Sequence, residues 1–326
     1  MNIIFFGTPD FAANNLQHLI DKGYKVVAIV AAPDSRKGRG KELKECAVKK
    51  AGILNNIPVL QPLKLKDNKF ITDLNSFNAD LFVVVAFRML PDIVWRIPSK
   101  GTINLHTSLL PNYRGAAPIN WVLINGEKET GVTTFFIDNN IDSGDIILQN
   151  RIEISNTTTA GQLHNLLMNK GKILLEDTLR LINDSKIKSI KQKTISEIKE
   201  APKLSKDLFK IDWSKSAYKI HNLVRGLSPL LKKDSILKDI AICPSAWFTL
   251  EDENKKQKRV KIHLTEIIKD NHPFKNQIQT DNKSYLYIRT NKGLISVLNL
   301  QIEGKKAMNI QQFLQGNKIN SHFKAL

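Results

Sequence analysis

Residues 1–30, MNIIFFGTPDFAANNLQHLIDKGYKVVAIV, decide the fold. Two short apolar runs, NIIFF at 2–6 and KVVAIV at 25–30, flank a segment from Phe11 to Lys22 that reads as a helix. Neither run alternates polar with apolar residues. A strand buried on both faces reads this way, as in a parallel sheet covered by helices. Outward from this unit the pattern repeats. Strand-like runs occur at ADLFVVVAF (79–87), Gly101 to Leu105, Gly131 to Ile137 and Ile146 to Ile154, with helix-like stretches at 41–52, 67–76 and 116–124. The alternation predicts an α/β, doubly wound, mostly parallel sheet with right-handed crossovers. From Thr159 to Ile182, apolar positions including Leu163, Leu166, Leu167 and Ile173 predict one long amphipathic helix.

The turn after the first strand, Gly7-Thr8-Pro9-Asp10-Phe11, excludes a dinucleotide fingerprint. That site needs Gly-x-Gly-x-x-Gly to bring backbone against a pyrophosphate, and Pro9 removes an amide an anion could use. Gly7 reads as the glycine that lets the following helix pack.

Residues 184–208, DSKIKSIKQKTISEIKEAPKLSKDL, are polar and lysine-rich and break the pattern. The expected organisation is a first domain over 1–189, a linker over 190–204 and a second domain over 205–326. In the second, IDWSKSAYKIHNLVRGL reads as a helix. The runs AWFTL, RVKIHLTEI, SYLYIRT and GLISVLNL suggest a small β-barrel.

The chain of 326 residues is 42% hydrophobic and 25% charged, ordinary for a globular protein. Its apolar runs are too short to span a bilayer, and MNIIFFGTPD reads as a strand and not a signal peptide. Two cysteines, Cys46 and Cys243, without metal-ligand spacing argue against a disulfide scaffold and a zinc site. A reduced cytoplasmic protein is expected. The net charge of +18 is uneven: 23 basic against 18 acidic residues in 1–190, and 26 against 13 in 191–326. The basic C-terminal part suits phosphate binding, although lysine-rich composition alone can produce it.

Chemistry concentrates in GTINLHTSLLPNYRGAAP (101–118) and IDSGD (141–145). Asn104 and His106 are two apart, so in a strand both project to one face at its carboxyl end, where open α/β sheets bind ligands. An amide and an imidazole aimed at one point suit a reaction that forms an oxyanion and moves a proton. Asp142 follows another apolar strand and is placed to collect that proton.

The runs INLHTSLLPNYRGAAPI and GVTTFFIDNNIDSGDII resemble the formyltransferases that use 10-formyltetrahydrofolate. The likeness extends from IIFFGTPDFA through RKGRGKEL and KLSKDLFKIDWSKSA to GKKAM, in the family's order, and is greatest to its branch acting on methionyl-tRNA. It implies a Rossmann-like domain followed by an OB-like, tRNA-binding barrel. It implies catalysis by Asn104, His106 and Asp142, without a metal and without a tightly bound cofactor. 10-Formyltetrahydrofolate is then a co-substrate, held by Ser108, Leu109, Leu110 and Pro111 and bordered by Phe87, Arg88, Met89 and Leu90. Initiator methionyl-tRNA is the implied partner, met by a basic loop at 33–44 in which Arg39 is the principal contact beside Arg36, Lys37 and Lys41. A monomer is expected. Thr107 departs from the family's usual Pro or Gly, and residues 230–243 read as an insertion. The competing readings are a formyltransferase for a sugar nucleotide or glycinamide ribonucleotide, lacking need of the basic loop, and a nucleic-acid-binding protein without catalysis.

Overall fold

A computed structural model describes residues 1–37, 42–193, 197–231, 235–237, 243–268 and 277–326, with residues 36, 37 and 42–44 described as backbone only. Arg39 and Lys41 therefore lie outside the described residues, as does part of the insertion at 230–243.

The first sheet contains β1 (Ile3–Gly7), β2 (Val26–Ala31), β5 (Val59–Leu60), β6 (Leu81–Val85), β7 (Thr102–His106), β8 (Glu129–Phe136) and β9 (Ile146–Glu153). Between β2 and β5, β3 (Ser35–Lys37) and β4 (Glu42–Lys44) form a separate antiparallel pair. The order is β5-β2-β1-β6-β7-β8-β9, in which β1 pairs in parallel with both β2 and β6. β7 continues the parallel direction beside β6, and β8 runs antiparallel to β7. Every residue of β1 and β6 is buried, as their unbroken apolar runs require. The helices are α1 (Asp10–Asp21), α2 (Ala47–Leu54), α3 (Asn68–Ser76), α4 (Asp92–Trp95), α5 (Pro118–Ile124) and α6 (Ala160–Asn183).

One apolar cluster joins Ile4, Phe6, Val30, Phe82 and Val84 of the sheet to Phe70 and Leu74 of α3. Phe82 is fully buried there, and Phe82→Ala is worth about 3–5 kcal/mol of stability. Gly7 holds the entry to α1: a Cβ at that position would lie 2.6 Å from the Ala12 Cβ. Even alanine there forces strand and helix apart.

The second sheet is antiparallel and barrel-like. It uses β10 (Ala246–Glu251), β11 (Gln257–Ile268), β12 (Ile278–Thr280), β13 (Leu286–Arg289), β14 (Leu294–Ile302), β15 (Met308–Asn309) and β16 (Lys324–Ala325). The order is β12-β13-β14-β11-β10-β16, with β15 on β14. α7 (Ala217–Leu227) and α8 (Ile310–Gly316) pack on it through Ile220, Val224, Phe313 and Leu314. The architecture is the expected α/β sheet followed by a smaller β-barrel. α8, the β3–β4 pair and the short strands β5, β12, β15 and β16 were not legible beforehand.

The chain divides into two compact units, each made of three separate segments. Unit 1 comprises Met1–Gly115, Gly131–Ile152 and Leu166–Glu200; unit 2 comprises Ala116–Thr130, Glu153–Asn165 and Ala201–Leu326. In unit 2, α5 packs on α7: Asn120 Nδ2 donates to the Gly226 carbonyl at 2.8 Å, and a Cβ on Gly226 would meet Ile124 at 2.7 Å.

Candidate active site

The two side chains singled out on β7 point the same way because they are two residues apart on one strand. His106 is buried and Asn104 half-buried. Among the described residues the Asn104 amide makes no side-chain hydrogen bond, so its N–H groups are available to a ligand. His106 Nε2 lies 2.8 Å from the Tyr113 carbonyl, which only accepts, so Nε2 carries a proton. The other ring nitrogen, Nδ1, faces Asp142 Oδ2 at 3.7 Å. His106 and Asp142 are thus neighbours, on the side of β7 that Asn104 also faces.

Asp142 is held by its surroundings. Its Oδ2 accepts from the Gly115 backbone N–H at 2.8 Å, and its own backbone sits in the left-handed region with φ of 50°. Gln192 Nε2 donates to the carbonyls of both Asp142 and Gly144 at 2.9 Å. Gln192 Oε1 in turn accepts from Arg114 Nε at 3.2 Å and Nη2 at 2.6 Å. Asp138 Oδ1 ties the start of the loop by accepting from Asn140 N and Ser143 Oγ, a local side-chain turn. Gly144 closes it, since a Cβ there would stand 1.8 Å from the Phe136 carbonyl oxygen. The loop has little freedom to move the carboxylate.

The segment Ser108 to Pro111 is fastened to the sheet. Thr133 Oγ1 donates to the Ser108 carbonyl at 2.7 Å, and Gln149 Nε2 donates to the Leu110 carbonyl at 2.9 Å. Ser108 Oγ donates to the Asn112 carbonyl at 2.7 Å. Ser108 and Leu110 are buried, while Leu109 and Pro111 are half-buried; the Leu110–Pro111 peptide is cis. What this segment offers a ligand is mainly backbone.

Phe87 to Leu90 leave the end of β6 just as Thr107 to Pro111 leave β7, because Val85 pairs with Leu105. The two segments start side by side. Phe87 sets its ring edge-on to Phe6 at 5.7 Å, and Met89 is 67% exposed. Arg88 is committed to the carbonyls of Leu63 and Pro62, at 3.2 and 2.8 Å, with its guanidinium over the Phe87 ring. Leu90 is buried in the core beneath. Phe87 and Met89 are therefore the side chains of this group with surface to give.

Arg36 and Lys37 lie on β3, paired through backbone with Leu43 and Glu42. Among the described residues, no group of three or more His, Cys, Asp or Glu side chains is placed to hold a metal, and no helix is long and apolar enough to cross a membrane.

Sequence reasoning missed Gln192, Thr133, Gln149 and the Tyr113 carbonyl. Gln192 sits in the polar stretch read as a linker, with no periodicity or motif to mark it. Thr133 at the β7–β8 pairing is opposite His106, a register that only the fold supplies.

The formyl transferase family matches residues 1–194, and its C-terminal domain matches residues 203–318. A methionyl-tRNA formyltransferase of Flavobacterium johnsoniae is 45% identical over 97% of this chain and 96% of its own. One of Parabacteroides distasonis is 44% identical over 98% of this chain and 96% of its own. Among solved structures, an N-formyltransferase of Helicobacter canadensis complexed with folinic acid and dTDP-3-aminofucose superposes with a TM-score of 0.62 at 20% identity, covering 94% of this chain and 99% of its own. HypX of Aquifex aeolicus with tetrahydrofolic acid gives 0.59 at 14% identity, covering 96% of this chain and 46% of its own. At those identities the likeness is one of fold.

Proposed function

The chain belongs to the formyl transferase family, and on that premise we propose that it moves the formyl group of 10-formyltetrahydrofolate to the α-amine of initiator methionyl-tRNA. The observation that carries the reading is the convergence of Asn104, His106 and Asp142 in a chain 45% identical to a methionyl-tRNA formyltransferase.

The reaction follows from the side chains. The uncharged amine nitrogen bonds the formyl carbon, and the carbonyl electron pair moves to oxygen. Asn104 Nδ2 and a protonated His106 Nδ1 are the donors we assign to that oxyanion; each such donor is worth on the order of a hundredfold in rate. The ring is oriented for this because Nε2 is anchored on Tyr113. Asp142 balances the imidazolium and accepts the proton that the amine loses. As the oxyanion collapses and the bond from carbon to N10 breaks, N10 keeps the electron pair. N10 takes the Nδ1 proton of His106 through water, and Asp142 returns to the imidazole the proton it took from the amine. The folate lies along the backbone of Ser108 to Pro111 with Phe87 and Met89 as apolar walls, a slot of the kind flat heterocycles occupy.

The division of labour we propose gives the chemistry to residues 1–189 and tRNA binding to 205–326, joined by 190–204. Arg36, Lys37, Arg39 and Lys41 add contacts to the acceptor arm. The excess of 26 basic over 13 acidic residues in 191–326 supports this, since phosphate contacts dominate nucleic-acid affinity.

The test is transfer of labelled formyl from 10-formyltetrahydrofolate to a panel of amines: methionyl-tRNA, an amino-sugar nucleotide and glycinamide ribonucleotide. Preferential labelling of methionyl-tRNA is expected. Labelling of the sugar nucleotide alone would overturn the acceptor assignment.

A further inference from the structure

The open end of the C-terminal barrel holds a feature that the reaction does not use. β10 and β11 pair so that Ala246 faces Ile262, Phe248 faces Val260 and Leu250 faces Lys258. The first five of these side chains are buried. Lys258 thus occupies the last position of an otherwise apolar inward column. An ammonium in that register gains nothing from the barrel interior and must keep its head at the mouth.

Beneath it lies a cavity of about 220 Å³. Its floor is Val260, Ile302, Phe313 and Ile319, and half-buried Phe323 forms one wall. Lys256 and Lys318 stand with Lys258 at the rim, all three exposed, and none of them forms an ion pair among the described residues. Two acceptors complete the rim. Asp252 uses Oδ1 for the backbone N–H groups of Asn254 and Lys256, leaving Oδ2 uncommitted. Asn317 donates its Nδ2 to the Phe313 carbonyl, which leaves its Oδ1 without a donor among the described residues.

We propose that this barrel mouth binds an unpaired, amino-bearing nucleotide of the RNA substrate. The base enters the apolar cavity, and the flanking phosphates lie on Lys256, Lys258 and Lys318. The volume is below the roughly 300–1,000 Å³ of sites for drug-sized ligands, so it suits one flat ring system. An apolar floor with an aromatic wall accepts the face of a base, as in single-strand binding. Three unpaired cations at the entrance are enough to neutralise two consecutive phosphates. An acyl chain would fill the floor but leave Asp252 Oδ2 and Asn317 Oδ1 without a donor. The exocyclic amine of adenine, cytosine or guanine carries two N–H donors, one for each acceptor, whereas uracil offers the single N–H of its ring.

The inference rests on the reading that the acceptor amine is carried by RNA, and the test separates the two. The full-length chain is labelled at its isoleucine δ1-methyls, and the resonances of Ile302 and Ile319 are followed by NMR during titration with AMP, CMP, UMP and ribose 5-phosphate. AMP and CMP should shift both methyls in a saturable way, UMP and ribose 5-phosphate far less, and Phe323→Ala should weaken the response about tenfold. In parallel, the double variant Lys258→Glu, Lys318→Glu should raise KM for methionyl-tRNA at least tenfold with kcat and folate binding unchanged. Its other methyl resonances report whether the fold is kept. Equal shifts with ribose 5-phosphate, equal shifts with UMP, or silence of both methyls would each overturn the proposal. Wild-type protein from the same preparation is assayed for transfer to methionyl-tRNA. Loss of that activity removes the proposed function itself, whereas full activity with silent methyls removes only the barrel-mouth site.

Discussion

Asp142 Oδ2 stands 3.7 Å from His106 Nδ1, within reach of its charge and beyond hydrogen-bonding distance. The same oxygen is already bonded to the Gly115 N–H, and the ring is already bonded through Nε2 to Tyr113. Each group is fixed by the backbone and not by the other.

That spacing predicts coupled losses. His106→Ala or Asp142→Asn should each lower kcat by several orders of magnitude while folate binding is retained, and Asn104→Ala by about a hundredfold. The double variant His106→Ala, Asp142→Asn should be little worse than either single one, because groups sharing one proton transfer are not additive. Single-turnover formyl transfer is the measurement. Near-normal turnover of folded Asp142→Asn would remove that residue from the mechanism.

Gln192 is predicted to be a positioning residue. Gln192→Leu removes both hydrogen bonds to the Asp142 and Gly144 carbonyls, at a cost of roughly 1–3 kcal/mol in stability. kcat should fall about tenfold with KM for tRNA unchanged. Gln192→Glu should not rescue it, since a carboxylate cannot donate to carbonyls. A variant that loses stability alone, at full kcat, would show the contact to be only structural.

For the basic loop, Arg39→Ala should raise KM for methionyl-tRNA strongly and leave folate affinity as it was. The prediction comes from five basic residues around two glycines in residues 33–44. Indistinguishable kinetics across a range of tRNA concentrations would make the loop ordinary surface.

A pH dependence follows from His263. Burial, aided by the charge of Lys261, pushes its imidazole down to about 4 from an ordinary 6.5. Between those values the unfolded chain binds the proton and the folded one does not. Stability is therefore full above pH 6.5 and falls by about 3 kcal/mol as pH drops to 4. His221, likewise lowered chiefly by burial, adds to the loss in the same direction. Denaturant titrations of wild type and His263→Gln across pH 4–7 should show a shallower slope in the variant; equal slopes would refute the assignment.

The parallel strands were legible because they are buried on both faces and carry unbroken apolar runs, as NIIFF and LFVVV do. Asn104 and His106 were legible because a period of two fixes their common face. Tyr113 and Gln192 were not. The first contributes a carbonyl, which any residue has, and the second an amide from a stretch without periodicity. Asp142 could be named from its motif, yet the four hydrogen bonds that Gln192 makes, locking its loop, cross 48 to 78 residues of chain. Separations of that kind leave no trace in local pattern. The small elements β5 and β15 escaped for a simpler reason: two residues each are too few to show a period.

The interleaving of the two units bears on how the chain comes off the ribosome. α5 emerges early, but the α7 surface against which Asn120 and Ile124 settle is synthesised roughly a hundred residues later. At about 5–20 residues per second, that is a wait on the order of ten seconds. Throughout it Ile119, Val122 and Leu123, all buried in the finished protein, have no completed unit to enter. Nascent chains stalled before residue 217 are accordingly the ones that chaperones should hold.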